Sequence, residues 1–99
     1  MIVADVSIIP IGAGESVSRF VREAVEELKR SGLKVEVTAM STVVEAGSIE
    51  KLFSAVQRAR EAVFRMGARR VYTILRIDER RDREPTIEGK KAAILETEK

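Results

Sequence analysis

The sequence predicts an α+β fold: four strands in one antiparallel sheet, two helices on one of its faces, and a short C-terminal helix. Three observations predict it. Apolar residues recur at every second position in four short segments, and at three- and four-residue intervals in two longer ones. These segments follow one another in the order β-α-β-β-α-β. The chain has 99 residues, the length of a single domain spanning 1–99.

The first segment alternates. Ile2, Ala4, Val6 and Ile8 fall on one side, and Val3, Asp5, Ser7 and Ile9 on the other. It reads as a strand whose mixed side is the less buried. Pro10 and Gly12 to Gly14 close it in a loop. Val17, Phe20, Val21, Ala24, Val25 and Leu28 then form the apolar stripe of an amphipathic helix. Ser16 is its expected N-cap, and Gly32 its left-handed C-terminal residue. "LKVEVTAM" (33–40) alternates again and "TVVEA" (42–46) follows at once, so the two are expected as a tight hairpin turning near Ser41. A second helix is expected from about Ser48 to Met66, with Ile49, Leu52, Phe53, Val56, Val63 and Phe64 on its stripe and Gly67 as its stop. Arg60 lies beside that stripe and is expected to keep its head in water. "RRVYTILRID" (69–78) is the last strand, with Val71, Thr73, Leu75 and Ile77 on one face and Tyr72, Ile74, Arg76 and Asp78 on the other. A charged turn and a helix from about Thr86 to Thr97 complete the chain.

This order is the ferredoxin-like split βαβ arrangement, in which right-handed crossovers put both helices on one face of the sheet. The other face then gathers Asp5, Ser7, Thr38, Val43, Glu45, Tyr72, Arg76 and Asp78, with Ile9 and Ile74 among them. That surface is too mixed for a core and too apolar in places to sit in water. A homo-oligomer that covers it, sheet against sheet, is the expectation.

Composition removes several function classes. The chain has no cysteine and no histidine, which excludes disulfides, thiol chemistry, the usual zinc sites and a histidine base. No nucleophile sits with a base, so no enzymatic activity, catalytic residue, metal or cofactor is expected. Eighteen basic residues are interleaved with sixteen acidic ones for a net charge of +2, unlike the basic face of a nucleic-acid binder. A sheet that stacks RNA bases needs two or three exposed aromatics. The three phenylalanines fall on the expected helix stripes, which leaves only Tyr72. No apolar run approaches the roughly 20 residues of a membrane span. "MIVADVSIIPIG" lacks the basic lead and continuous apolar core of a signal peptide, so a cytoplasmic location is expected. The absence of asparagine, the single Gln57 and a charged fraction of 34% point to a thermophilic source.

Four stretches carry a resemblance: "SIIPIG" (7–12), "MSTVVEAG" (40–47), "GARRVYTILRID" (67–78) and "DERRDREPTIEGK" (78–90). Together they resemble the thiamine-binding protein family, through nearly the whole chain. The family's central landmark reads like Met-Gly-Thr-x-x-Glu-Gly. Met40, Thr42 and Glu45 match it, Ser41 and Ala46 stand at its glycines, and Gly47 follows. Arg60 stands where members often carry a histidine. The resemblance implies a ferredoxin-like fold, a homotetramer built as a dimer of dimers, and binding of thiamine or its hydroxymethylpyrimidine part without chemistry. It also implies ligand-binding roles for Glu45, Thr42, Ser7, Asp5 and Met40, Glu45 first. A carboxylate can hold the aminopyrimidine edge by a charge-assisted hydrogen bond, and a threonine hydroxyl both donates and accepts.

Read from the residues alone, Glu45 is first a solvated or interface salt-bridge partner, and Thr42 is equally a turn residue that satisfies local backbone. Asp5 and Ser7 read as polar interface residues, with Arg76 neutralising Asp5 or Glu45 across strands. Thr42 and Glu45 are three apart and face opposite sides of a regular strand. They share a site only through a bulge or if Thr42 belongs to the turn, and the turn is the expectation. The alternative function is a regulatory or structural homo-oligomer that binds a different small metabolite at its sheet interface.

Overall fold

The computed structural model of the chain describes residues 1–14 and 17–97. Strand β1 (Ile2–Pro10), helix α1 (Ser18–Arg30), strands β2 (Lys34–Val37) and β3 (Thr42–Ala46), helix α2 (Ile49–Arg65), strand β4 (Val71–Glu79) and helix α3 (Ile87–Thr97) follow in that order. The sheet order is β2-β3-β1-β4, with every neighbouring pair antiparallel. This is the ferredoxin-like α+β fold that the sequence predicts.

Alternation does in β1 what was expected of it. Ile2, Ala4, Val6 and Ile8 are buried beneath the helices, while Asp5, Ser7 and Ile9 are half-buried or exposed on the open face. Phe20, Ala24, Val25 and Leu28 of α1 close the core over them. Gly32 ends α1 with φ +84°, a left-handed conformation that costs other residues energy. The cap expected at Ser16 lies outside the described residues. Val17 occupies the cap position and makes no side-chain cap hydrogen bond. At α2, Ser48 Oγ accepts the Lys51 N–H at 3.2 Å, one of the orphan donors of a helix start.

The buried face of α2 differs from the expected stripe. Leu52, Ala55, Val56, Ala59, Ala62 and Val63 are buried, whereas Phe53 is 52% exposed. Three alanines let the helix approach its neighbours closely, and they set the centre of the packed face. Reading the stripe from the large residues alone rotates it toward Phe53. Arg60 is half-buried and donates to Gln57 Oε1. With Phe53 on the helix layer, Tyr72 is still the single aromatic on the sheet's open face.

Helix α3 meets that open face. The Ile87 N–H donates to Glu45 Oε1 at 2.7 Å, Lys90 bonds Asp78, and Lys91 Nζ lies 3.4 Å from Glu36 Oε1. Ile87 is buried, but farther along Ile94 and Leu95 are exposed. Its first turn anchors it.

Candidate functional site

The site begins with a mismatch of strand lengths. β1 has nine residues, all paired with β4 from Ile2↔Glu79 to Pro10↔Val71. β3 has five and pairs with β1 only from Ile2↔Ala46 to Val6↔Thr42. The Ile11 N–H donates to the Arg70 carbonyl at 2.8 Å and extends the β1–β4 ladder by one rung. Because an antiparallel ladder alternates, that rung assigns the hydrogen bonds toward β4 to the odd-numbered residues of β1. The even-numbered residues turn their N–H and C=O groups toward β3. Ile2, Ala4 and Val6 find Ala46, Val44 and Thr42 there. Among the described residues, Ile8 finds no strand on that side. Pro10, next in the same row, has no N–H to leave unpaired, which suits proline to a free edge.

β3 stops short because the chain turns away through Ala39 and Met40. Among the described residues only glycines take positive φ, so the primed turns that suit two-residue hairpins are not used here. Thr38 holds the turn instead. Its N–H donates to the Ser41 carbonyl at 2.9 Å, and its hydroxyl donates to the same oxygen at 2.8 Å. That hydroxyl also accepts the N–H groups of Met40 and Ser41 at 3.3 and 3.2 Å. The turn leaves Met40 89% exposed at its tip.

Between the free edge of β1 and this hairpin tip lies a cleft of about 200 Å³. Val25 and Leu28 of α1 supply an apolar floor, and Ser7, Ile8, Met40 and Thr42 also line it. The cleft occupies the place that β3 would fill if it continued.

Three expected site residues, Ser7, Met40 and Thr42, therefore border the cleft, with Thr42 on the helix side and Ser7 on the open face, where Asp5 and Glu45 also lie. The expectation that Thr42 belongs to the turn is corrected. It is the first residue of β3, paired with both Val6 and Val37, and its side chain is buried on the helix side. The ladder runs without a bulge to Glu45, so the two side chains face opposite ways and share no site. Asp5 is engaged by Arg76, whose Nε lies 2.9 Å from Oδ1 while Nη2 bonds Oδ2. The Ser41 hydroxyl donates to the same Oδ2 at 3.3 Å. Hydrogen bonding to Arg76 holds the Asp5 carboxyl below the usual carboxylate range, against the opposing effect of burial. A shallow groove of about 360 Å³ lies beside it, lined also by Val3, Val43 and Lys90. Glu45 satisfies an orphan donor at the start of α3. Among the described residues no group of His, Cys, Asp or Glu is arranged to hold a metal ion.

Reading side chains misses the backbone pair of Ile8. The signal that could have found it was a first strand much longer than the third, with a proline near its end.

Two landmarks distant in sequence, at residues 7–9 and 40–42, thus border one cleft. The model of the thiamine-binding protein family matches residues 4–95. This chain belongs to the thiamine-binding protein family. The UPF0045 protein MJ1052 of Methanocaldococcus jannaschii is 47% identical over 95 residues, 96% of this chain and 93% of the relative. Its crystal structure superposes with a TM-score of 0.88 and covers 96% of both chains. A UPF0045 protein of Methanothermobacter thermautotrophicus is 40% identical over 97% of this chain and 98% of its own. The structure of a DUF77 domain from Bacillus cereus is 32% identical with a TM-score of 0.80, covering 90% of this chain and 85% of that one. No helix among the described residues is long and apolar enough to cross a membrane.

Proposed function

We propose that this member of the family binds thiamine through its aminopyrimidine ring in the cleft at the end of β1, as a cytoplasmic homo-oligomer, and performs no chemistry on it. The observation that carries the reading is the convergence of the two landmark segments on an unpaired donor and acceptor, the N–H and C=O of Ile8. An aminopyrimidine edge presents a ring-nitrogen acceptor beside an exocyclic amine donor, the complement of that pair. The Thr42 hydroxyl adds a group of either sense. Val25 and Leu28 offer an apolar surface to the ring face. The cleft volume falls below the roughly 300 Å³ at which sites for drug-sized ligands begin. One ring therefore fits inside, and the thiazolium stays at the mouth.

In this reading Glu45 and Asp5 shape the surroundings and do not touch the ligand. A second reading places the ligand on the open face, because Asp5 and Glu45 supply carboxylates there and a groove lies beside Asp5. Titration calorimetry with thiamine, hydroxymethylpyrimidine and thiamine diphosphate separates the two. Val21 lines the cleft at its rim, and Val21→Trp should abolish binding by filling it, while Glu45→Ala retains it. The reverse pattern assigns the ligand to the open face. No heat from any of the three ligands on the parent protein overturns both readings and leaves the other function, a homo-oligomer responding to a different metabolite.

A further inference from the structure

The hairpin tip that forms one wall of the cleft has no ladder to hold it to the other wall. Pairing between β1 and β3 ends at Val6↔Thr42, and residues 38–41 lie beyond that rung. Thr38 closes the turn upon itself, through the N–H groups of Met40 and Ser41 and the Ser41 carbonyl. These bonds stay within the tip. A side chain crosses to β1: the Ser41 hydroxyl donates to Asp5 Oδ2 at 3.3 Å, on the strand whose Ile8 forms the facing edge. Asp5 is directly opposite Arg76 of β4, and that guanidinium engages both of its carboxylate oxygens. Arg76, Asp5 and Ser41 thus form a row across the open face, from the outer strand of the sheet to the wall of the cleft. The other charged groups bordering Asp5 are Asp78 of β4 and Lys90 of α3, which bond each other. On β3 its direct neighbour is the neutral Val43, and Glu45 on the diagonal is taken up by the Ile87 N–H.

We infer that Asp5 is a positioning residue for the cleft: it holds the hairpin tip through Ser41, while Arg76 holds Asp5. The inference rests on the cleft being the ligand site. A wall that is tethered before the ligand arrives need not be ordered by it, so binding avoids that cost. A wall set free is correctly placed for only part of the time, and the apparent affinity falls by that fraction. The tether is strongest with Asp5 ionised, because a hydrogen bond to a carboxylate is roughly twice as strong as a neutral one. Hydrogen bonding from Arg76 keeps the Asp5 carboxyl below the usual carboxylate range, so the tether is complete at neutral pH. It weakens only as the pH falls through that lowered value.

Titration calorimetry with hydroxymethylpyrimidine, from neutral pH into the acid range, reads the tether on the parent protein and two variants. Ser41→Ala should weaken binding about fivefold at neutral pH, as the net contribution of one ordinary hydrogen bond implies. As the pH falls, the parent affinity should drop toward that of Ser41→Ala and meet it, over the range in which circular dichroism shows both folded. Protonation of the ligand acts on both proteins alike and cancels in their ratio. Arg76→Gln removes the group that lowers the Asp5 pKa, so its acid loss should begin at a higher pH than the parent's. A substitution that merely loosened the fold would change affinity without this pH dependence. Equal affinities for the parent and Ser41→Ala, a ratio that stays constant with pH, or an acid limb that Arg76→Gln leaves in place overturns the inference alone. No heat from the parent protein overturns the cleft reading, and this inference with it.

Discussion

Asp5 sits on the open face with both carboxylate oxygens engaged, by Arg76 and by Ser41. Its folded pKa is depressed, chiefly by the hydrogen bond from Arg76, so folding favours the ionised form. The associated stability is complete above the unfolded carboxylate pKa and is lost as pH falls through the lower folded value. Arg76 is largely exposed, so solvent screening keeps the contribution of the pair small. Asp5→Asn should therefore cost a small amount of stability at neutral pH and flatten the acid side of the stability profile, measured by urea unfolding across the acid range. An acid limb as steep as that of the parent protein would refute this account. Ser41 stands at a glycine of the family landmark, and its hydroxyl uses the exchange to reach Asp5. That bond joins residues 36 apart in sequence, and reading along the chain could not anticipate it.

Strand and helix identities followed from periodicity, because alternate burial and helical burial leave different marks on a sequence. Their packed faces were legible only where large residues carried the packing. In α2 the small residues Ala55, Ala59 and Ala62 set the contact, and Phe53 was consequently assigned to the wrong side. The energetic consequence can be measured by chemical denaturation. Leu52→Ala should cost about 3 kcal/mol, since Leu52 is 0% exposed and leaves a cavity. Phe53→Ala should change stability by only about 0.5 kcal/mol, as surface substitutions usually do. Comparable losses for the two would restore the stripe inferred from the sequence. Helix α3 has little packing beyond its first turn, where Glu45 holds the Ile87 N–H. Hydrogen exchange at that amide should be faster in Glu45→Ala while β1 and β4 remain protected.

At the scale of the molecule, the four-stranded sheet has one face under α1 and α2 and another that meets the N-terminal half of α3. Val3 and Val43 sit on that second face beside Asp5 and Glu45. Its mixed character was legible from alternation. Val43→Lys should place an unpaired charge in a face-to-face contact and lower the assembled mass measured by light scattering, without loss of helical signal. An unchanged mass would mean that this part of the open face stays in water.

The sequence by itself determined the order of the elements, the two-sided character of each strand and the family landmarks, because periodicity and local capping are properties of neighbouring residues. Tertiary structure alone decided where those landmarks meet. Ending β3 at Thr42 while β1 runs on to Pro10 opens the cleft, and that depends on the register between strands more than thirty residues apart. The same register turns Thr42 toward the helices and Glu45 toward α3. A one-residue slip would exchange the faces of a strand, so the assignment of each side chain to a site belongs to the pairing and to no local pattern.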